Sequence, residues 1–270
     1  MEVPAVEVIS SSLEGLSAES STGSNEVVNT TAALAKVLES LDGLPTSPPS
    51  LYIDLEGEYL SRHGNVSILQ LHVLPSNQTH LIDIKVLGRD AFTTIGTHGR
   101  TLKAVLESEH IPKVFFDVRN DSDALYSHFG IKLAGVQDLQ LMQLATRERG
   151  RRSYLYGLGK CIEQDCPLTV GEKILWKVAK EKGVRLFAPE HGGSYQVFNE
   201  RPLKKEIIQY CVQDAKYLPL LWEYYSKRLT SAWMARVCEE AKNRVAESQT
   251  KDFNGKGGHM ALAPAVWQWI

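Results

Sequence analysis

The chain has 270 residues, 43% of them hydrophobic, and its 30 Lys and Arg residues nearly balance its 32 Asp and Glu residues. This length can bury the core of one sizeable domain, and the near-neutral charge argues against a protein that coats duplex DNA through a large basic field. The sequence has no secretory signal and no apolar run of about 18 residues, so we expect an intracellular protein, cytoplasmic or nuclear, that is not secreted.

Residues 1–28 are rich in Ser and Glu and have no sustained hydrophobic period, which predicts a flexible arm. From Leu34 to Leu41 the apolar residues share one helical face, and two threonines before them can cap a helix. Because the prolines that follow cannot lie inside a central strand, the first strand should begin near Leu51. The folded domain is therefore expected to begin at residue 29.

Strand patterns follow in two groups. Leu51 onward, Val66–Val73 and Thr79–Ile84 form a meander whose turns carry Gly, Pro and Asn, which predicts three antiparallel strands. Lys113–Phe116 and Val136–Asp138 are shorter and alternate with helical patterns, as parallel strands do. The sequence thus predicts an α/β fold with a mixed sheet covered by helices on both faces.

Hydrophobic periods of helical spacing lie between and after these strands. A long helix should have Pro202 at its first position, and Pro219 should kink or restart it. Another should end near Gly183. Further helices are predicted around residues 102–106, 121–129 and 141–145, and in a charged segment through Arg244.

The C-terminal part offers two features whose role the sequence leaves open. Arginines at positions 147, 149, 151 and 152 form either a solvated loop or a phosphate contact. The tail, residues 255–270, becomes apolar and contains Trp267 and Trp269, so it should dock on the domain or bind a protein partner. We therefore divide the chain into the arm, a domain over residues 29–235, and a C-terminal helix and tail over residues 236–270.

Asp54 and Glu56 end the first predicted strand. Side chains two residues apart in a strand point to the same face, so these carboxylates should stand side by side. Two like charges this close need compensation, which a divalent cation usually supplies. A solvated acidic turn is the alternative, because a pattern as short as Asp-x-Glu often occurs by chance.

Two later segments carry further acids. Tyr210 and Asp214 lie four residues apart in the long predicted helix and therefore share a face. Asp121 follows a buried strand and can cap the next helix. Asp117 and Asp123 lie beside it, so this segment alone does not identify a metal ligand.

In combination, these stretches resemble the DEDD superfamily of 3′→5′ exonucleases, in the tyrosine-bearing DEDDy branch that includes ribonuclease D. The residues of these motifs are most similar to those of the Egalitarian and exonuclease-domain-containing group. The resemblance covers about residues 45–230, through the segments Leu51–Val73, Val114–Ala145 and Arg201–Tyr225. Three motifs occur in order, each in its required strand or helix context, which makes the combination specific.

The resemblance implies a ribonuclease H-like fold with two divalent ions, Mg²⁺ or Mn²⁺. Asp54 would bridge both ions, and Glu56 and Asp214 would complete the site that activates water. Asp121 would hold the second ion, and Tyr210 would position the water for attack on the terminal phosphodiester. Carboxylate oxygens suit these ions, and such an ion pair can stabilise both attacking and leaving oxygens.

Contacts with the substrate are expected around these acids. The backbone of Leu55 and Gly57 could touch the last nucleotide, while His63 and Arg201 are either phosphate contacts or ordinary surface residues. Asp138 would orient neighbouring groups from outside the metal site, or would simply cap a helix.

We expect a metal-dependent 3′→5′ exonuclease that releases nucleoside 5′-monophosphates from single-stranded RNA or DNA 3′ ends. RNA is favoured because of the ribonuclease D-like resemblance. The alternative is a weakly active or inactive nucleic-acid-binding adaptor of the same fold. A third hypothesis is a protein-interaction platform that acts through the tail. The complete acid set favours the exonuclease.

Overall fold

A computed structural model describes residues 26–268. Its strands are β1 (Glu26–Val28), β2 (Leu51–Glu56), β3 (Ile68–Val73), β4 (Gln78–Asp83), β5 (Lys113–Phe115) and β6 (Val136–Asp138). They form one sheet in the order β1-β4-β3-β2-β5-β6. The pairs β2–β3 and β3–β4 are antiparallel, whereas β1, β5 and β6 run parallel to their neighbours. The predicted mixed sheet is confirmed.

The edge strand β1 was not predicted. Val27 and Val28 pair with Leu81 and Ile82 of β4, so the last three residues of the predicted arm 1–28 belong to the sheet. A strand of three residues is too short to show a period, and its pairing depends on a distant edge. The rest of the predicted arm, residues 1–25, lies outside the described residues.

The helices lie between and after the strands. The α-helices are α1 (Thr31–Ser40), α2 (Ile84–Leu87), α3 (Asp90–Thr93), α4 (Leu102–Glu107), α5 (Arg119–Phe129), α6 (Leu139–Ala145), α7 (Leu158–Asp165), α8 (Val170–Phe187), α9 (Lys205–Lys216), α10 (Leu218–Ser226) and α11 (Ser231–Ser248). Short 3₁₀ helices cover Leu74–Ser76, Pro189–His191, Tyr195–Asn199, Gly258–Ala261 and Ala265–Gln268. Pro219 lies in the first turn of α10, which confirms the predicted restart.

Three helix boundaries differ from the prediction. Helix α8 continues past Gly183 to Phe187. This glycine does not end the helix but allows close packing on α9, since a Cβ atom there would lie 2.7 Å from the Tyr210 Cβ. Helix α5 begins before Asp121 and has Val118 as its N-cap, so Asp121 does not cap it. Pro202 lies outside α9, which begins only after Lys204.

The two faces of the sheet carry different residues. Asp54 pairs with Gln70, and Gln70 with Leu81, so these side chains share one face. Leu81 belongs to the apolar cluster of α9 around Ile207 and Tyr210. On the opposite face, apolar residues of the central strands pack against α1, α4 and α5. The fold therefore places Asp54 beneath α9.

The C-terminal segment packs on the same body. Helix α11 contacts β6, α5 and α6, and the predicted boundary between residues 235 and 236 falls inside it. Arg62 donates hydrogen bonds to the carbonyl oxygens of Ser248 (2.9 Å), Thr250 (2.8 Å) and Lys251 (2.9 Å). Trp267 is buried, with its ring centroid 5.2 Å from that of Trp233. The tail thus docks at least through this residue.

The role of the arginine cluster is answered in part by contacts of the described residues. The guanidinium of Arg147 lies 3.5 Å from the Tyr156 ring centroid, and that of buried Arg152 lies 4.3 Å from the Trp233 ring centroid. These two arginines are therefore structural, while Arg151 is exposed. All four cysteines are free thiols. In the part of the chain that is described, no helix is both long and apolar enough to cross a membrane.

Candidate active site

Three carboxylates meet where β2 ends under α9. One oxygen each from Asp54, Glu56 and Asp214 lie within 4.8 Å of one another. Strand alternation brings the first two to the same face, and the packing of α9 on that face brings the third. The predicted side-by-side carboxylates of β2 are thus joined by the acid of the predicted helix.

The cluster is crowded with negative charge. Burial, followed by the charge of Asp214, raises the pKa of Asp54 to about 7. Burial and the charges of Asp54 and Asp214 raise the pKa of Glu56 well above its ordinary value. Lys180 opposes both shifts. An arrangement of this kind attracts protons or cations.

Asp121 is distinguished from its acidic neighbours by its contacts. Arg119 donates two hydrogen bonds of 2.6 Å to Asp117, and Arg62 donates one of 2.7 Å to Asp123. Asp121 is 6% exposed, and among the described residues its Oδ1 atom has no hydrogen-bond partner. Burial and the charge of Asp54 raise its pKa well above the ordinary value. Asp121 is therefore the acid of this segment that faces the cluster without a cation.

Asp138 fixes the turn that leads to Asp121. Its carboxylate accepts hydrogen bonds from the backbone N–H groups of Asp117 (3.1 Å), Val118 (3.2 Å) and Gln140 (2.9 Å). Arg244 of α11 donates a further hydrogen bond of 2.7 Å. Asp138 thus caps α6 and also orients the turn after β5, which combines the two predicted alternatives.

Tyr210 projects from α9 one turn before Asp214. It is 8% exposed, and its ring centroid lies 5.0 Å from that of Phe187. Burial and the nearby acids Asp214 and Glu56 raise its pKa well above the ordinary value. The phenol is therefore protonated at neutral pH and can donate a hydrogen bond.

Lys180 is a site residue that the sequence did not reveal. Its Nζ atom lies 2.9 Å and 3.2 Å from the two carboxylate oxygens of Asp214, and 5.0 Å from the Tyr210 ring centroid. It shares the inner face of α8 with Trp176 and Gly183. This spacing is the available signal, but a single lysine on a helix carries no motif.

The predicted substrate contacts occupy different surroundings. The Leu55 side chain is buried in the core, and Gly57 packs so tightly that a Cβ atom would lie 2.1 Å from the Asn65 carbonyl oxygen. His63 is exposed. The guanidinium of Arg201 is neutralised by Asp83, to which it donates hydrogen bonds of 2.5 Å and 2.6 Å. Arg201 therefore has a structural ion pair, and its contact with a phosphate stays a prediction.

The donor set fits a divalent cation. Carboxylate oxygens are hard ligands of the kind that Mg²⁺ and Mn²⁺ prefer. Their clustering, together with the unpartnered Oδ1 atom of Asp121, leaves negative charge that one lysine does not balance. The cluster can thus hold a metal ion next to a protonated tyrosine.

Sequence comparison identifies related proteins. A family model described as 3′-5′ exonuclease matches residues 25–230. The chain is 28% identical over 170 residues to the piRNA biogenesis protein EXD1 of Homo sapiens, which covers 62% of this chain and 30% of that protein. EXD1 of Mus musculus is 26% identical over 172 residues, with 27% of that protein covered. The chain thus spans less than a third of the length of these relatives.

Structural comparison finds the same fold in ribonuclease D. The complex of Trypanosoma brucei RNase D with GMP has a TM-score of 0.73 and 21% identity, covering 90% of this chain and 70% of that one. The complex of the same enzyme with RNA U12 has a TM-score of 0.70 and 21% identity, covering 92% and 78%. The predicted ribonuclease H-like architecture is confirmed.

Proposed function

Because this chain belongs to the 3′-5′ exonuclease family, we propose that it hydrolyses the terminal phosphodiester of single-stranded RNA and releases nucleoside 5′-monophosphates. The family match and the RNase D fold also confirm the DEDDy-type, ribonuclease D-like resemblance. The observation that carries the proposal is the cluster of carboxylate oxygens from Asp54, Glu56 and Asp214, with Asp121 beside it.

The four acids would hold two divalent ions, Mg²⁺ or Mn²⁺. Asp54 would contact both ions, Glu56 and Asp214 would hold the one that binds the attacking water, and Asp121 would hold the other. Bound ions would lower the pKa of that water and stabilise charge on the attacking and leaving oxygens. The raised pKa of Asp54 supports a cation at this place, because burial and the charge of Asp214 make its negative charge unfavourable and a bound cation would relieve that repulsion.

Tyr210 and Lys180 would act on the water and on the charge around it. The protonated phenol of Tyr210 would donate a hydrogen bond that orients the water for attack. Lys180 contacts Asp214 directly, so it would fix this carboxylate and limit the repulsion among the acids. Its ammonium group also offers hydrogen-bond donors near the reacting phosphate.

The choice of RNA rests on the relatives. Trypanosoma brucei RNase D has been solved with RNA U12, and the EXD1 proteins are described as piRNA biogenesis proteins. We extend RNA to this chain as its substrate, with single strands preferred because a strand end must reach acids beneath α9. Backbone groups of Leu55 and Gly57 would border the last nucleotide.

The test is hydrolysis of 5′-labelled single-stranded RNA and DNA of the same sequence, with Mg²⁺, Mn²⁺ or EDTA. Wild type should give a metal-dependent ladder shortened from the 3′ end, faster on RNA, and Asp54→Asn should give none. Asp252→Asn, at an exposed aspartate of the C-terminal segment, is the matched control and should behave as wild type. Binding without shortening would instead support the adaptor.

A further inference from the structure

The loop after Glu56 holds an exposed tyrosine beside the acid site. Tyr59 follows Glu56 by three residues, which an extended chain spans in about 10 Å, and its side chain is 55% exposed. Its φ of 50° is left-handed, a strained conformation that persists where the surroundings impose it. Gly64 closes the loop, since a Cβ atom there would lie 2.2 Å from the Tyr59 carbonyl oxygen. The loop therefore fixes an aromatic ring in solvent.

A series of aromatic rings connects this residue with the catalytic tyrosine. Ring centroids lie 5.0 Å apart for Tyr210 and Phe187, 5.8 Å for Phe187 and Tyr195, and 5.3 Å for Tyr195 and Tyr59. Tyr195 is half-buried, whereas Tyr59 is the exposed end of the series. The rings thus form a border that leads from the acid cluster to the surface.

The C-terminal segment completes this border with a cation. Gly255 lies against Asn120, where a Cβ atom would be 2.0 Å from the Asn120 Oδ1 atom, and Lys256 follows. The Nζ atom of Lys256 lies 5.3 Å from the Tyr59 ring centroid. Lys256, His63 and Asn120 also line a cavity of about 180 Å³ beside the first turn of α5. An aromatic face and a positive charge are therefore presented together.

The charge of Lys256 is available to a ligand. Within the described residues, its ammonium group forms no ion pair with a carboxylate. The neighbouring site has an excess of acids, so a polyanionic strand that approaches it needs a local cation. A base has a flat face and a phosphate has a negative charge, which together match a tyrosine and a lysine at this spacing.

We propose that Tyr59, Lys256 and His63 form a subsite for the nucleotide on the 5′ side of the one being removed. Its base stacks on Tyr59, and its phosphate contacts Lys256 and His63. This inference rests on the proposed function, because it takes the acid cluster as the place of cleavage. It gives residues beyond the family match, which ends at residue 230, a direct part in substrate binding.

The test compares two substrates in the full chain. One is a single-stranded RNA oligonucleotide, and the other is the p-nitrophenyl ester of thymidine 5′-monophosphate, which has no second nucleotide. Tyr59→Ala should lower kcat/KM on RNA about tenfold more than on the ester, since base stacking accounts for a factor of this order. Lys256→Ala should also lower it more on RNA, because the ester lacks the second phosphate that Lys256 would contact. Tyr59→Phe keeps the ring and should restore most of the RNA activity.

Binding of 5′-fluorescein RNA in EDTA, followed by anisotropy, separates this proposal from the proposed function. Lys256→Ala should reduce the slope of log Kd against log salt by about 0.7, the value for one phosphate of a single strand. Tyr154→Ala and Lys36→Ala, at exposed positions elsewhere, are matched controls. Weakened RNA binding by the subsite variants supports the subsite even if no cleavage occurs. Equal losses on both substrates, or unchanged RNA binding, would overturn it even if wild type cleaves.

Discussion

Asp54 and Glu56 lie with Asp214 in a cluster of three carboxylates beside one lysine. Part of this arrangement was predictable, because spacing alone places two acids on one strand face and Tyr210 with Asp214 on one helix face. The sequence could not separate Asp121 from Asp117 and Asp123, since the difference lies in the arginines that neutralise the latter two. Lys180 was also not identified from the sequence, because its partner Asp214 is 34 residues away.

The raised pKa of Asp54 predicts how stability depends on pH. An unfolded Asp54 releases its proton near pH 3.8, whereas the folded, metal-free protein keeps it until about pH 7. Between these values the folded state binds more protons, so stability falls as the pH rises through this window. In EDTA, the unfolding temperature of Asp54→Asn should therefore decline less than that of wild type as the pH rises. It should exceed the unfolding temperature of wild type at about pH 8.

Magnesium should reverse the order of the two unfolding temperatures, so that wild type exceeds Asp54→Asn. At about pH 8 it should raise the unfolding temperature of wild type and leave Asp54→Asn nearly unchanged, because the variant lacks a charged ligand. Thermal unfolding by circular dichroism at a series of pH values measures both effects. Parallel pH profiles of wild type and variant in EDTA would refute the raised pKa.

Tyr210→Phe removes one hydroxyl group and keeps the ring against Phe187 and Gly183. We expect kcat to fall about 100-fold, as when one preorganised hydrogen-bond donor is lost. Metal binding and the unfolding temperature should change little, since the acids and the packing remain. Tyr154→Phe, an exposed substitution of the same kind, is the control. Full activity of Tyr210→Phe would remove this residue from the mechanism.

The turn between β5 and α5 depends on a neighbouring element, α11. Asp138 holds two N–H groups of the turn, and Arg244 of α11 balances the charge of Asp138. Locally patterned elements such as β2, β3 and α9 were predictable because burial repeats with their own period. The edge strand β1 and the end of α8 were not, because a distant strand edge and the Tyr210 ring decide them.

Arg244→Ala should destabilise the protein by about 3–5 kcal/mol, because it leaves the buried carboxylate of Asp138 without its partner. The turn would loosen, so the Mn²⁺ concentration for half-maximal activity should rise. Arg244→Lys keeps the charge and should recover part of both losses. Lys242→Ala, at an exposed position of the same helix, is the control. Unchanged metal dependence would show that α11 does not position Asp121.

At the level of the whole molecule, the family match ends at residue 230, whereas buried residues continue beyond it. Val237, Ala241 and Val245 of α11 are buried, as is Trp267. We propose that residues 231–268 belong to the same folding unit as the matched region, so the predicted division at residue 235 separates parts that fold together.

Removal of residues 231–270 should therefore prevent cooperative folding. It exposes the apolar surface under α11, and the loss of buried groups at several positions is comparable with the total stability of a domain. Near-ultraviolet circular dichroism and size-exclusion chromatography of the fragment 1–230 measure this. A monomeric fragment with a sharp thermal transition would contradict the single unit.

The hydrogen bonds from Arg62 to carbonyl oxygens at and after the end of α11 have a consequence for synthesis on the ribosome. The ribosome synthesises all four acids and Tyr210 before Arg244. The carbonyl groups that accept hydrogen bonds from Arg62 are synthesised 186 to 189 residues after Arg62 itself. A nascent chain therefore carries every proposed metal ligand before it carries α11, whose Arg244 holds the turn that leads to Asp121. Metal binding in the final geometry, and with it activity toward nearby RNA, is expected only after the C-terminal segment has left the exit tunnel.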